Sequence, residues 1–340
     1  MLSVLGPGDV AVDLGTCTVL VYIKGRGVVL NEPSVVAKDH NTGAILAVGD
    51  EARKMIGRTP GSIDAIRPLR AGVISDFEVT EMMLRYFLKK AIGSRVYLKP
   101  RVIICVPTAV TSVERRAVLQ AGIGAGARKV YLVEEPLAAA LGAGLDISGA
   151  SGYMVVDVGG GTTDIAVLSL NGVVVSTSTR IGGDALDEAI VRYVRKTFQL
   201  AIGEPTAELA RITAGTLVQG ARNEKYEMRG RDLVTGLPRS IAITSDDLAK
   251  AMEEPAALII EACRQVLEKT PPEIASDIVD HGVTLTGGGA LTHGMDKLLQ
   301  NGTGLRVSLA DDPVTCVVRG AGLVLENIPQ YEEHIRSLTI

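Results

Sequence analysis

The stretch Tyr153–Leu170, YMVVDVGGGTTDIAVLSL, is an apolar strand, a turn of three consecutive glycines between Asp157 and Asp164, and a second apolar strand. Apolar runs on both sides of a glycine turn are the pattern of buried hairpin strands. Three glycines weaken a hairpin, so a purely structural role explains them poorly. Glycine reaches positive φ without strain and lets backbone N–H groups approach an anion closely. The stretch therefore reads as an anion-binding turn, with a flexible strand connection as the plainer alternative.

The same unit occurs near the N-terminus. Val10–Lys24, VAVDLGTCTVLVYIK, is again strand, tight turn and strand, the turn being Asp13-Leu14-Gly15-Thr16. Alone, it is as compatible with an ordinary turn as with a binding loop. Two copies of one unusual hairpin imply two related lobes facing each other. Each copy offers backbone donors to phosphate and an Asp at its strand end. Two carboxylates facing polyphosphate are the usual requirement for holding Mg²⁺, mostly through water. A third element, Val283–Ala290 (VTLTGGGA), reads as a strand running into a glycine-rich helix start against which a nucleotide would lie; an ordinary strand-to-helix turn is the competing reading.

The rest of the chain narrows the options. Its 340 residues exceed what one hydrophobic core usually serves, which again favours two lobes. Apolar residues make up 46% and charged residues 22%, the mix of a folded chain. A net charge of -4, no Trp and 3 Phe give nucleic acid neither a basic surface nor stacking platforms. Cys17, Cys105, Cys263 and Cys316 form no C-x-x-C pair and read as reduced thiols. His40, His281, His293 and His334 are equally scattered, so no zinc site is expected. No Walker-type loop occurs, and Gly122-Ile123-Gly124-Ala125-Gly126 is not a dinucleotide fingerprint. The first basic residue is Lys24, so no secretory signal is expected, and no apolar run is long enough to span a membrane.

Between the hairpins, Thr111 and Glu114 have capping-box spacing and predict a helix to about Gly122. Glu135-Pro136-Leu137-Ala138-Ala139-Ala140-Leu141-Gly142-Ala143-Gly144 predicts a helix closed by a glycine cap, small enough to pass close to another backbone. It is the natural hinge. Asp312-Pro313 is an N-cap and N1 pair for a helix to about Asn327. The expected division is lobe I over residues 1–143 with an insertion at about 32–66, and lobe II over 144–340 with an insertion at about 185–249. A C-terminal helix, about 313–335, is expected to return to lobe I. Both insertions read as less regular.

DLGT, VEEPLAAALGAGL, DVGGGTTDIAVLSL and LTGGGA, in this order, resemble the phosphate, connector and adenosine motifs of the actin, sugar-kinase and DnaK-type superfamily. NEPSVVA (31–37), AIRPLRAGVISDF (65–77), KPRVIICVP (99–107) and DDPVTCVVRGAG (311–322) resemble the MreB/Mbl family of bacterial actin-like proteins in particular. The resemblance covers nearly the whole chain. It implies an α/β, actin-like fold of two related lobes around a cleft for ATP and Mg²⁺. Asp13 would lie near metal and phosphates, with Gly15, Thr16, Cys17 and Thr18 cradling phosphate. Glu135 would position the attacking water with Thr162, and Asp157 would order Mg²⁺ and its waters. Gly159, Gly160 and Gly161 would hold the β- and γ-phosphates. Glu208 and Arg211 would approach ribose and base, and Gly287, Gly288, Gly289 and Ala290 would pack on adenosine. The chain departs from the family at Cys17-Thr18, where relatives read Ala-Asn, and at Glu208-Leu209-Ala210-Arg211, where they read E-R-I-K.

Three functions share this fold. A chaperone-type machine needs a substrate domain for which the chain has no room. A small-molecule kinase needs a catalytic Asp in a substrate pocket, and none stands out. The resemblance favours the third, a weak ATPase that polymerises into homopolymer filaments and helps determine bacterial cell shape. It also implies attachment to the inner face of the cytoplasmic membrane and contact with membrane proteins of cell-wall synthesis. From Met82 to Val113 there is no acidic residue, while Arg85, Lys89, Lys90, Arg95, Lys99 and Arg101 are basic. Val96, Tyr97 and Leu98 form a short apolar tip within this window, in the loop that relatives use to touch lipid. Met1–Leu5 is a weaker second candidate, because Gly6-Pro7-Gly8 interrupts any long amphipathic helix. Core-facing strand residues and a solvated basic face are the alternative.

Overall fold

A computed structural model describes residues 9–93 and 99–339. Two sheets carry the architecture. In the first, the strands lie in the order Arg336–Thr339, Lys129–Glu134, Arg101–Val106, Val10–Leu14, Thr18–Ile23, Gly27–Pro33. In the second, the order is Gly172–Thr179, Thr163–Ser169, Tyr153–Val158, Val283–Thr286, Val307–Leu309. Both are built alike. A three-strand antiparallel meander starts with the strand that ends in Asp13 or Asp157 and its neighbour. A later strand then pairs parallel to that first one, Arg101–Val106 in one lobe and Val283–Thr286 in the other.

Side-chain alternation along the two central strands explains where the acids go. Val10, Val12 and Leu14 enter the outer core of the first lobe, and Met154, Val156 and Val158 that of the second. Ala11 and Val155 face the other way, into a shared core between the lobes. Successive strand residues point to opposite faces, so Asp13 follows Ala11 and Asp157 follows Val155 onto the surfaces that face each other.

The shared core is filled by two helices, the connector Glu135–Gly142 and Cys316–Glu326. They cross in backbone contact: a Cβ at Gly142 would lie 1.8 Å from the Cys316 carbonyl oxygen, and one at Gly320 1.8 Å from that of Ala138. Arg319 Nη2 donates to the Gly142 carbonyl at 2.7 Å. The small residues of the connector thus admit a second helix, and the pair forms the axis beneath the cleft.

The Thr111–Glu114 capping box is present, with Glu114 N to Thr111 Oγ1 at 3.2 Å and Thr111 N to Glu114 Oε2 at 2.7 Å. Three expectations are corrected. Asp312 has φ +47° and makes no side-chain cap; its carboxylate accepts from the Thr315 hydroxyl at 2.6 Å, and a 3₁₀ turn, Pro313–Thr315, precedes the helix. The single helix expected over about 313–335 is instead a helix that ends at Glu326, next to the expected Asn327, followed by a 3₁₀ segment, Ile328–His334, and the edge strand Arg336–Thr339. The insertions are regular. The first holds a three-stranded sheet of Val36–Asp39, Ile45–Val48 and Ile63–Ile66. The second holds helices Gly183–Phe198 and Glu204–Ala214 and the hairpin Lys225–Asp232 with Pro238–Thr244. The hairpin reads as irregular because it buries little: in Lys225–Asp232 only Met228 and Asp232 are buried.

Candidate nucleotide cleft

Between the lobes lies a cavity of about 350 Å³. The first hairpin contributes Asp13, Gly15, Thr16, Cys17 and Thr18 to its lining, and the second Asp157, Gly159, Gly160, Gly161 and Thr162. Glu135 enters from the connector, Glu208 and Arg211 from the helix Glu204–Ala214, and Gly287, Gly288 and Gly289 from the third glycine turn. Ala290 is the exception. It is buried in the core of lobe II, and exposed Leu291 faces the cleft instead. The reason is local: Gly289–Leu291 is a 3₁₀ turn, and the α-helix begins only at Met295.

In each hairpin turn two carbonyls are held by other parts of the chain. In the first, Ser34 Oγ donates to the Gly15 carbonyl at 2.6 Å and Ser34 N to that of Cys17 at 2.9 Å. In the second, the N-terminal amides of the helix Gly183–Phe198 do this: Gly183 N to Gly159 O at 3.0 Å and Asp184 N to Gly160 O at 2.8 Å. With the carbonyls held, the N–H groups of Gly160 and Gly161 have no protein partner among the described residues, the arrangement an anion requires. The turns also meet. A Cβ on Gly160 would fall 2.2 Å from Cys17 Sγ, and one on Gly161 2.5 Å from Thr16 Oγ1.

Four carboxyl groups gather here. Asp157 accepts from Thr286 Oγ1 at 2.7 Å and stands opposite Asp164 in the hairpin register. Asp164, fully buried, accepts the Thr108 N–H from the first lobe at 3.0 Å, and its Oδ2 has no partner among the described residues. Burial pushes Asp157 up to about 7, and burial with the neighbouring Asp157 does the same to Asp13. Burial raises Asp164 to about 6. Glu135 is held well above the carboxylate range by burial and then by Asp164, Asp13 and Asp157. Its chain neighbour Glu134 is taken by Arg115 Nη2 at 3.2 Å, so only the second glutamate of the pair serves the cleft. The excess of negative charge in a buried place is the chemistry that a divalent cation neutralises.

Two expected ligands have protein partners. Arg211 makes a bidentate pair with Asp187, at 2.7 and 3.0 Å, and donates to Thr292 Oγ1 at 3.0 Å. Burial outweighs this pairing and leaves Asp187 up at about 6. Glu208 Oε2 is 2.8 Å from Arg53 of the opposite lobe. A second bridge, Arg67 Nη1 to Asp184 Oδ1 at 2.9 Å, also spans the cleft, and Cys17 Sγ donates to the same Oδ1 at 3.2 Å. Ser34, Thr108, Asp164, Asp184 and Asp187 escaped the sequence reading as site residues. Asp164 and Ser34 lay inside quoted motifs; the others had no signal before their partners were brought to them.

Val96, Tyr97 and Leu98 lie outside the described residues. The basic window around them is less free than its sequence suggests. Arg85 pairs with Glu81 at 2.7 Å, Lys90 with Glu32, and Arg101 with Asp9. Lys89 and Lys99 have no ion pair among the described residues. No described helix is long and apolar enough to cross a membrane.

A sheet topology repeated in two lobes, with an amide-presenting turn from each facing a shared cleft, defines an actin-like protein. The chain belongs to the MreB/Mbl family: the family model described as MreB/Mbl protein matches residues 7–333. It is 54% identical over 320 residues to the cell shape-determining protein Mbl of Bacillus cereus (strain ATCC 10987 / NRS 248), covering 94% of this chain and 96% of that one. It is 51% identical over 329 residues to the cell shape-determining protein MreB of Escherichia coli (strain K12), covering 95% and 94%. Among solved structures, MreB5 of Spiroplasma citri bound to ADP superposes with a TM-score of 0.90 at 36% identity, covering 95% of this chain and 98% of that one. The same protein bound to AMPPNP matches equally well, with a TM-score of 0.90.

Proposed function

We propose that this chain is a cell shape-determining filament protein: it binds ATP with Mg²⁺ in the cleft, hydrolyses it slowly, and assembles with copies of itself. The observation that carries the reading is the pair of facing turns with their carbonyls tied back and a buried carboxyl cluster between them. The full-length match to cell shape-determining relatives supports it, as does the fit to a relative bound to ADP and to AMPPNP. Gly15 to Thr18 and Gly159 to Gly161 would bind the phosphates by backbone N–H groups. Ile212, Leu291 and Gly288, which line the cleft, would receive the base.

Among the described residues no three acid, His or Cys groups converge as a protein-only metal cage. Asp13 and Asp157 would therefore hold Mg²⁺ through its waters, with phosphate oxygens completing the shell. When bound, the ion would neutralise phosphate charge and the acids facing it. Hydrolysis of ATP then depends on placing one water in line with the γ-phosphorus. Glu135 accepts that water's hydrogen bond from the connector side, and the Thr162 hydroxyl shares it. Glu135 is fixed at the first turn of a helix wedged between both sheets, so its place depends on how the lobes sit together.

Closure of the lobes on ATP, bridged by Arg53–Glu208 and Arg67–Asp184, would alter the surfaces offered to neighbouring subunits and so couple nucleotide to assembly. The filament would lie on the inner face of the cell membrane, near membrane proteins of cell-wall synthesis. Its lipid contact would be made by Val96, Tyr97 and Leu98. With Arg85, Lys90 and Arg101 paired, Lys89 and Lys99 remain as flanking charges, each worth about 1 kcal/mol at an anionic surface; repetition along a filament would make weak contacts firm. A small-molecule kinase is the competing function, and the full-length match to cell shape-determining relatives weighs against it. Sedimentation with ATP, repeated with anionic vesicles, tests the reading. ATP-dependent pelleting and co-flotation are expected. A monomer at every concentration and nucleotide state would contradict it.

A further inference from the structure

The segment Ala65–Phe77 contains a strained turn beside the cleft. Leu69–Arg70 and Val73–Ile74 form a two-residue hairpin, pairing Leu69 with Ile74 and Arg70 with Val73. Its tip is Ala71 at φ +47° and Gly72 at φ +75°. Positive φ at both positions is the geometry of a tight primed hairpin turn, and alanine adopts it only under constraint from its surroundings. The constraint is visible. Gly72 N donates to Thr16 Oγ1 at 3.0 Å. A Cβ on Gly72 would lie 2.8 Å from Thr162 Cγ2 and 2.8 Å from Pro107 Cγ.

The tip therefore touches both phosphate-facing turns at once, Thr16 on its own lobe and Thr162 on the opposite one. Gly72 lines the nucleotide cleft, while Arg70 and Ala71 line a neighbouring cavity of about 820 Å³, so the tip is part of the wall between the two. The Thr16 oxygen accepts from Gly72, which directs its own O–H away from the hairpin. On the other side, Thr162 rests its methyl group on Gly72, which fixes the rotation of its side chain and so the direction of its hydroxyl. The second effect requires a residue without a side chain at 72, and its φ of +75° favours glycine as well.

Resting on the ATPase reading above, we propose that Gly72 is a positioning residue for hydrolysis, holding the Thr16 and Thr162 hydroxyls in register when the lobes are closed. Its action would run through the two threonines.

The test is single-turnover cleavage of ATP, with affinity measured separately by calorimetry and folding followed by thermal denaturation. Gly72→Ala should bind ATP within about threefold of the parent but cleave bound ATP at least about tenfold more slowly, because a small misplacement of catalytic groups is enough. Should Gly72→Ala not fold, Thr16 decides: Thr16→Ser keeps the acceptor for Gly72 and should cleave faster than Thr16→Val, which lacks it. Cleavage by folded Gly72→Ala at the parental rate, or equal rates for Thr16→Ser and Thr16→Val, would overturn the proposal alone. A parent protein that binds no ATP would overturn the ATPase reading and this proposal with it.

Discussion

The two hairpins share a topology but do different work. In the first, Asp13 stands opposite Leu20 across the strands; in the second, Asp157 stands opposite Asp164. The first turn has one glycine and needs Ser34, from the next strand connection, to hold its carbonyls back. The second has three glycines and uses the first amides of the following helix. The second thus carries more of the charge and builds its cradle from backbone alone, whereas the first depends on a side chain. One repeat gathers carboxyl groups, and the other relies on a neighbouring side chain to hold its turn.

The largest expected effect falls where the lobes meet rather than within either hairpin. Glu135→Ala should retain ATP binding and lose turnover by on the order of 10²-fold, the usual worth of a positioned acid–base group. Phosphate release at the parental rate would reduce Glu135 to a carboxylate at a helix N-terminus.

The unequal charge of the hairpins has a pH signature in the nucleotide-free, metal-free protein. Asp13 and Asp157 are pushed up to about 7 and Asp164 to about 6 by burial. A carboxyl raised in the folded state binds its proton more tightly there than when unfolded. Its stabilising contribution is full below the ordinary carboxylate value and is lost as pH rises through the folded one. Thermal stability should therefore fall between pH 5 and pH 8, by on the order of a few kcal/mol in all. Asp157→Asn should flatten that profile. A profile unchanged by this substitution would mean that the second hairpin does not dominate the acid cluster.

Ser34→Ala is the smaller probe, and it addresses the first hairpin only. It removes the hydroxyl that holds the Gly15 carbonyl, a buried hydrogen bond worth about 1 kcal/mol. ATP affinity should fall roughly fivefold, with turnover of bound ATP nearly kept. Calorimetry checks this; unchanged affinity would show that the Asp13–Thr18 turn holds its shape without help.

What could be read from the sequence was whatever is local. The glycine turns, the flanking apolar strands, the Thr111 capping box and the small-residue connector each declare themselves within a few residues. What could not be read depends on chain segments far apart. Asp164 looks like the end of a motif until Thr108 arrives from the other lobe. Lys90 and Arg101 look like free cations until Glu32 and Asp9 are brought beside them. Arg211 looks available until Asp187 takes its guanidinium. Ala290 was misplaced for a different reason: a three-residue 3₁₀ turn and a helix start look the same in sequence but aim successive side chains differently.

Calorimetric titration of ATP into the parent and into Asp157→Ala, each with and without Mg²⁺, tests the central claim that ATP and its metal are held between the two turns. The parent should bind ATP more tightly with Mg²⁺ present, and Asp157→Ala should lose most of that Mg²⁺-dependent gain. Equal affinity in the two proteins, with Mg²⁺ adding the same gain to both, would contradict the account.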